Sequence, residues 1–251
     1  MMRVEYIDIT THQVGREQAI RLYVNDNLIA VTQGTPDNLD ELAIGYLVAE
    51  GCVTRKADIA SIDVDPLLKQ VHVVLAPTCM TTDNMQYRVS SASVVPQVIK
   101  PFVPYQAGDK PLDDFRIKAN DIACHMQELL LASPKRNDGE CVHGAGLGGR
   151  REQGLLVVRE DIGRHNALDK VVGWAWLNDV SLIDKALFIT GRISAEMVIK
   201  TYQSGARILV SHKSPTEEAL WRAQEMGVTL VARCREESMQ VFTHAYRICA
   251  E

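Results

Sequence analysis

Residues 159–170, REDIGRHNALDK, place Glu160 and Asp161 at the end of an apolar run. They set Gly163, Arg164 and His165 just before a helical pattern. Arginine and histidine at a strand-to-helix turn can bind an anion or move a proton, and Asp161 can equally pair with Arg164 to orient the turn. Three later turns repeat the composition: TGRIS with Arg192 and Ser194, SHKSPT with His212, Lys213 and Ser214, and RCREES with Arg233, Cys234, Arg235 and Ser238. Where such turns open helices, unpaired backbone N–H groups and the positive dipole end suit a phosphate. Ser194 and Ser214 also have a sufficient role as helix caps. Taken together the turns point to a small phosphate-bearing molecule.

Cys79 is the candidate nucleophile. It lies in a polar stretch with Thr78, Thr81, Thr82, Asp83 and Asn84, where a thiol is open to attack. No Cys-X-X-Cys and no His-X-Glu occurs, which argues against a zinc hydrolase and leaves no expected metal ligands. Cys141-Val142-His143 is the nearest approach to a ligand pair. HGAGLGG at 143–149 has the composition of a glycine-rich phosphate loop but neither Walker lysine nor Rossmann spacing.

These groups need a scaffold, and the apolar pattern supplies one. QAIRLYV and LIAVT around Asn25-Asp26-Asn27 read as a hairpin. Residues 35–51 read as a helix capped by Thr35, with Pro36 in its first turn, Gly51 ending it and Leu39, Leu42, Ala43, Tyr46 and Leu47 on one face. VHVVL (71–75) is a strand, and prolines 96, 101, 104 and 111 punctuate a non-helical connection, the best boundary. NDIACHMQELLLAS is a helix. From Gly154 onward, short strands (154–158, 186–190, 207–211, 228–232) alternate with helices, a Ser214–Glu217 capping box opening the last. The expected fold class is α/β: a smaller N-terminal α+β region (1–111) and a layered α/β domain (112–251) with a largely parallel sheet. The strand-to-helix turns would then share one sheet edge, where ligands bind.

A formal net charge of −5 gives no basic field for nucleic acid, so any anion site is local. No apolar run approaches the ~18 residues of a membrane span, and the N-terminus lacks a signal-peptide core, so a cytoplasmic protein is expected. Six scattered cysteines read as thiols there.

EDIGRHNALDKVVG, SAEMVIKTYQSG, GTPDNLDELAIGYLVAEG and VTLVARCREESMQVFTHAYRI together resemble the formate dehydrogenase accessory sulfurtransferase family (FdhD). GECVHGAGL looks like its valine-histidine-alanine segment, and the resemblance runs in order over residues 19–248. It implies a cytidine-deaminase-like C-terminal α/β/α domain. It also implies transfer of persulfide sulfur from a cysteine desulfurase to the molybdenum cofactor of formate dehydrogenase, in its bis-guanylyl form, as a bound substrate. Cys79 would be the sulfur carrier, although the family has a Cys-X-X-Cys pair in the corresponding loop. The cofactor would lie on His143, Asp161, Arg164, His165, Arg192 and Lys213, together with the segment Arg233, Cys234, Arg235, Glu236, Glu237 and Ser238. That segment departs from the family pattern at Arg233, at the two glutamates and at Ser238. Cys141 is a second candidate sulfur handler, and a homodimer is left open. The rival readings are a molybdenum-cofactor-binding chaperone without sulfur chemistry and a phosphosugar or nucleotide enzyme.

Overall fold

The computed structural model describes residues 17–77, 115–133, 141–150 and 154–250, with 86–88 and 97–99 as backbone strands. Strands β1 (Gln18–Val24) and β2 (Asn27–Gly34) form the expected hairpin. Asn25 and Asp26 both take positive φ, 46° and 64°, as the twist of a two-residue hairpin loop demands. Strands β3 (Ile59–Asp65) and β4 (Gln70–Leu75) complete a four-stranded sheet in the order β2-β1-β4-β3, with β1 parallel to β4. Ile20, Leu22 and Val24 alternate inward beside Val71, Val73 and Leu75. Two short ribbons follow: β5 (Gln86–Arg88) with β6 (Gln97–Ile99), and β7 (Ile117–Lys118) with the C-terminal β14 (Ile248–Cys249). The proline-punctuated boundary falls on residues outside the described ones.

A six-stranded sheet carries the second half, in the order β13-β12-β11-β10-β8-β9. Its strands are β8 (His143–Gly148), β9 (Leu155–Asp161), β10 (Ala186–Ile189), β11 (Ile208–Ser211), β12 (Thr229–Ala232) and β13 (Gln240–Val241). The sheet is mixed: β10, β11 and β12 are parallel, whereas β8 opposes both its neighbours and β13 opposes β12. Because β8 reverses twice, β9 runs with β10–β12, and all four end on the same edge. Side chains alternate across the sheet. Phe188, Ile208 and Val210 meet helix α2 (Ala119–Leu131) on one face, while Leu187, Ile189, Leu209 and Leu230 join the main core on the other. That second face carries α3 (Arg164–Leu177), α4 (Ala195–Gln203) and α5 (Glu217–Met226).

Helix α1 (Leu39–Ala49) joins the two halves, and the main core runs through it without a break. The sequence suggests one apolar face, but every residue of α1 except Asp40 is buried, because the four-stranded sheet and α3 enclose it. The crossing is backbone to backbone. A Cβ on Gly45 would lie 1.7 Å from the Asp169 carbonyl oxygen, and one on Gly173 would lie 1.8 Å from that of Glu41.

Several local readings are corrected. Helix α1 starts at Leu39, not at Thr35, whose hydroxyl instead accepts from Ile162 N. Ser194 sits at the N-cap of α4 but makes no capping bond, and Thr216, not Ser214, caps α5 by accepting from Ala219 N. HGAGLGG is no phosphate loop. It is strand β8, and its glycines leave room for α2: a Cβ on Gly144 would meet Ser133 Oγ at 2.8 Å, and one on Gly148 would meet His125 at 3.1 Å. Among the described residues no helix is long and apolar enough to cross a membrane.

Candidate functional site

The stretch 159–170 divides its polar groups between two tasks. Most of them face inward. Arg159 forms a bidentate pair with Glu41 of α1 at 2.5 and 2.6 Å, and this carboxylate raises the guanidinium's already high affinity for its proton. Asp161 is fully buried. It accepts from Thr35 N (3.1 Å), Gly163 N (2.8 Å) and Asn166 Nδ2 (3.1 Å), and lies 2.7 Å from the equally buried Lys170 Nζ. Lys170 also donates to Asp37 and to the Thr35 carbonyl, and Asn166 donates to the Gln33 carbonyl. Asp169 accepts both bonds of a second buried pair from Lys200, at 2.7 and 2.8 Å. A buried charge is tolerated only when paired and hydrogen-bonded, and each of these is. This hub sews the end of β2 to the start of α3.

What remains faces the edge. His143 opens β8 opposite Asp161, and its Nδ1 lies 3.3 Å from where a Cβ on Gly191 would stand. Arg164 Cβ lies 3.2 Å from the same point, so the bare backbone of Gly191 lets the imidazole and the arginine flank one turn. Arg164 Nε is buried and makes no hydrogen bond. Gly163 caps α3 without a side chain, leaving the first-turn N–H groups to the edge. Arg192, Lys213, Arg233 and Arg235 are exposed on the following turns. Arg233 holds its turn through Ser214 Oγ (3.0 Å) and Gln240 Oε1 (3.1 Å). Among the described residues, none of these five cations pairs with a carboxylate.

The other expected site residues are placed differently. His165 is 4% exposed, with Nε2 3.2 Å from Ser194 Oγ and 3.4 Å from Glu196. Burial, with the charges of Lys200, Arg164 and His143, lowers its pKa to about 3, so it is a neutral strut at physiological pH. Cys234 is fully buried beneath the edge, and burial raises its thiol to about 11. Glu236 and Glu237 occupy the tip of a tight turn closed by Arg235 N donating to the Ser238 carbonyl at 2.7 Å. Beside this turn runs a cleft of about 450 Å³. It is walled by Ala123, Met126, Gln127 and Leu130 of α2 and rimmed by His212, Arg235 and Glu236.

Cys79 lies outside the described residues, but the strand leading to it is placed. Ala76 N, just past β4, donates to the Asp58 carbonyl, and Lys56 of the same 3₁₀ turn bonds the Leu177 carbonyl and Asp179. The chain therefore leaves β4 beside the C-terminal end of α3. Arg164 is at that helix's other end, 14 residues or about 21 Å away. Cys141 is exposed, two residues before β8.

Sequence reasoning missed Glu41, Arg159, Asn166, Asp169, Lys170 and Lys200. The available signal, for Glu41, Asn166, Asp169 and Lys170, was polar side chains within helices that are buried nearly all round. A single-face reading of α1 and α3 put these groups in solvent.

The family model described as FdhD/NarQ matches residues 15–249. A sulfur carrier protein FdhD of Shouchella clausii is 33% identical over 240 residues, covering 94% of this chain and 89% of that one. Its counterpart in Bacillus subtilis is 32% identical, covering 85% and 82%. A crystal structure described as that of a formate dehydrogenase accessory protein from Desulfotalea psychrophila superposes with a TM-score of 0.73 at 29% identity, covering 94% of this chain and 90% of that one. With the family model spanning nearly the whole chain and both halves of the fold shared, the chain belongs to the FdhD/NarQ family.

Proposed function

We propose that this protein is a sulfur carrier that loads a persulfide on Cys79 from a cysteine desulfurase. It then passes the sulfur to a molybdenum cofactor, bound as substrate in its bis-guanylyl form, for formate dehydrogenase. Relatives named sulfur carrier protein FdhD support the first half, and the structural neighbour's description supports the client. One observation carries the anionic substrate: Arg164, Arg192, Lys213, Arg233 and Arg235 gather on a single edge with no carboxylate partner among the described residues, beside the uncapped start of α3.

In the loading step the Cys79 thiolate attacks the outer sulfur of the donor's persulfide. A new S–S bond forms at Cys79, the donor's S–S bond breaks, and the donor leaves as a thiolate. No net oxidation occurs. A lone cysteine suffices for this exchange, because it needs no second thiol of this chain. Burial keeps Cys234 protonated and sheltered, so it does not compete.

Intact mass spectrometry after incubation with a cysteine desulfurase and cysteine tests the assignment. Wild type should gain one sulfur and Cys79→Ala none, with dehydrogenase activation lost in the variant. A variant that still loads or activates would overturn Cys79 as the carrier and leave a cofactor-binding chaperone.

A further inference from the structure

Three of the edge turns are tied together beneath the surface. Strand β11 ends in Ser211, a fully buried hydroxyl after three apolar residues. That hydroxyl donates to the Gly191 carbonyl at 2.6 Å, in the turn after β10, and accepts from Lys213 N at 2.9 Å, in its own turn. The Ser211 carbonyl accepts from Cys234 N at 3.0 Å, and the Lys213 carbonyl from Arg233 N at 3.1 Å, both in the turn after β12. Arg192 follows Gly191 directly, so Arg192, Lys213 and Arg233, all exposed, stand on or beside one connected run of buried bonds.

A serine hydroxyl has one proton to donate and two lone pairs that accept. The equally buried hydroxyls of Ser133 and Thr201 donate to the carbonyl four residues back in their own chain segment. Ser211 instead divides its bonds between two turns 20 residues apart. The ladder between β10 and β11 stops at Ile189 and Ser211. The two loops rejoin at Ile193, whose N–H donates to the Ser214 carbonyl and whose carbonyl accepts from Thr216 N. Arg192 and Lys213 lie between these fastenings, bracketed by the Ser211 hydroxyl on one side and by Ile193 on the other. An apolar residue at 211 would fill the space but leave the Gly191 carbonyl and the Lys213 N–H without this partner.

We infer that Ser211 is a positioning residue for the anion edge, its hydroxyl fixing the separation of Arg192 and Lys213 so that both cations reach one diphosphate-type anion. A single phosphate is held by either cation alone, whereas two linked phosphates need two cations at a set spacing. The inference rests on the reading of the edge as a site for a phosphate-bearing cofactor. It adds a residue that acts on the ligand only through others.

Calorimetric titration of the full chain with inorganic pyrophosphate and orthophosphate tests it. Wild type should prefer pyrophosphate. Ser211→Ala should weaken pyrophosphate about tenfold, the worth of the two lost hydrogen bonds, and change orthophosphate by less than about twofold. A role confined to stability would move both anions together, so the ratio of the two affinities separates positioning from folding. Thr201→Val removes a fully buried hydroxyl within α4 and should leave the ratio as in wild type. If Ser211→Ala does not fold, Ser211→Cys, with its weaker donor, gives the same comparison. No preference for pyrophosphate in wild type, an unchanged ratio in the Ser211 variant, or equal losses for both anions would overturn the positioning role while the anion edge stands. If wild type binds neither anion, the edge reading fails and this inference with it.

Discussion

His165 sits on the first turn of α3 with almost no solvent contact, and its pKa near 3 lies well below the ~6.5 of an unfolded chain. Between those values the unfolded state binds a proton that the folded state refuses, so stability falls as pH drops from about 6.5 toward 3. The slope for this one group approaches about 1.4 kcal/mol per pH unit. His165→Gln should flatten that slope, as read from urea unfolding at a series of pH values between 4 and 7. An unchanged slope would mean that His165 is not a source of the acid sensitivity. At this scale the sequence was legible in its clustering and opaque in its directions. It showed that residues 159–170 hold too many polar groups for a plain turn. It did not show that Asp161 and His165 point into the protein while Arg164 lies half-buried beside Gly191, because a turn's side-chain directions are set by what packs against it.

Helices α1 and α3 cross at Gly45 and Gly173, where each glycine's missing side chain is filled by the other helix's backbone. An alanine at either position would drive its Cβ to 1.7 or 1.8 Å from the other helix's carbonyl oxygen, so the helices must separate, and overpacking a dry contact of this kind is costly. Gly45→Ala and Gly173→Ala should each lower stability by about 3 kcal/mol or more, measured as a shift in denaturant midpoint at constant slope. A loss below about 1 kcal/mol would show that the crossing can relax. Most elements were legible from period and punctuation, including the hairpin at Asn25-Asp26, helix α2 and the strand–helix alternation after Gly154. The strand β8 was not. Three alternate glycines, Gly144, Gly146 and Gly148, carry no hydrophobic signal, and their reason lies in Leu129, Ser133 and His125 of the helix side, more than ten residues away in the chain.

The two sheets behave as one body because the interior between them is both apolar and ionic. Lys170 is the centre of the ionic part, with Asp161, Asp37 and the Thr35 carbonyl within 3.0 Å. Removing it strands a buried carboxylate, so Lys170→Met should cost about 3–5 kcal/mol and the loss should appear in one cooperative transition. Two separated transitions would instead show that the halves fold independently. The pairing was invisible in the sequence, since Asp161 and Lys170 meet only once α3 has docked and Thr35 and Asp37 arrive from 126 or more residues earlier. The departure of the chain from β4 has a consequence of its own. The chain leaves β4 near the foot of α3, whereas Arg164 stands at the helix's head, about 21 Å away. A molecule held at the head of α3 therefore leaves the helix's foot, and the end of β4 beside it, uncovered.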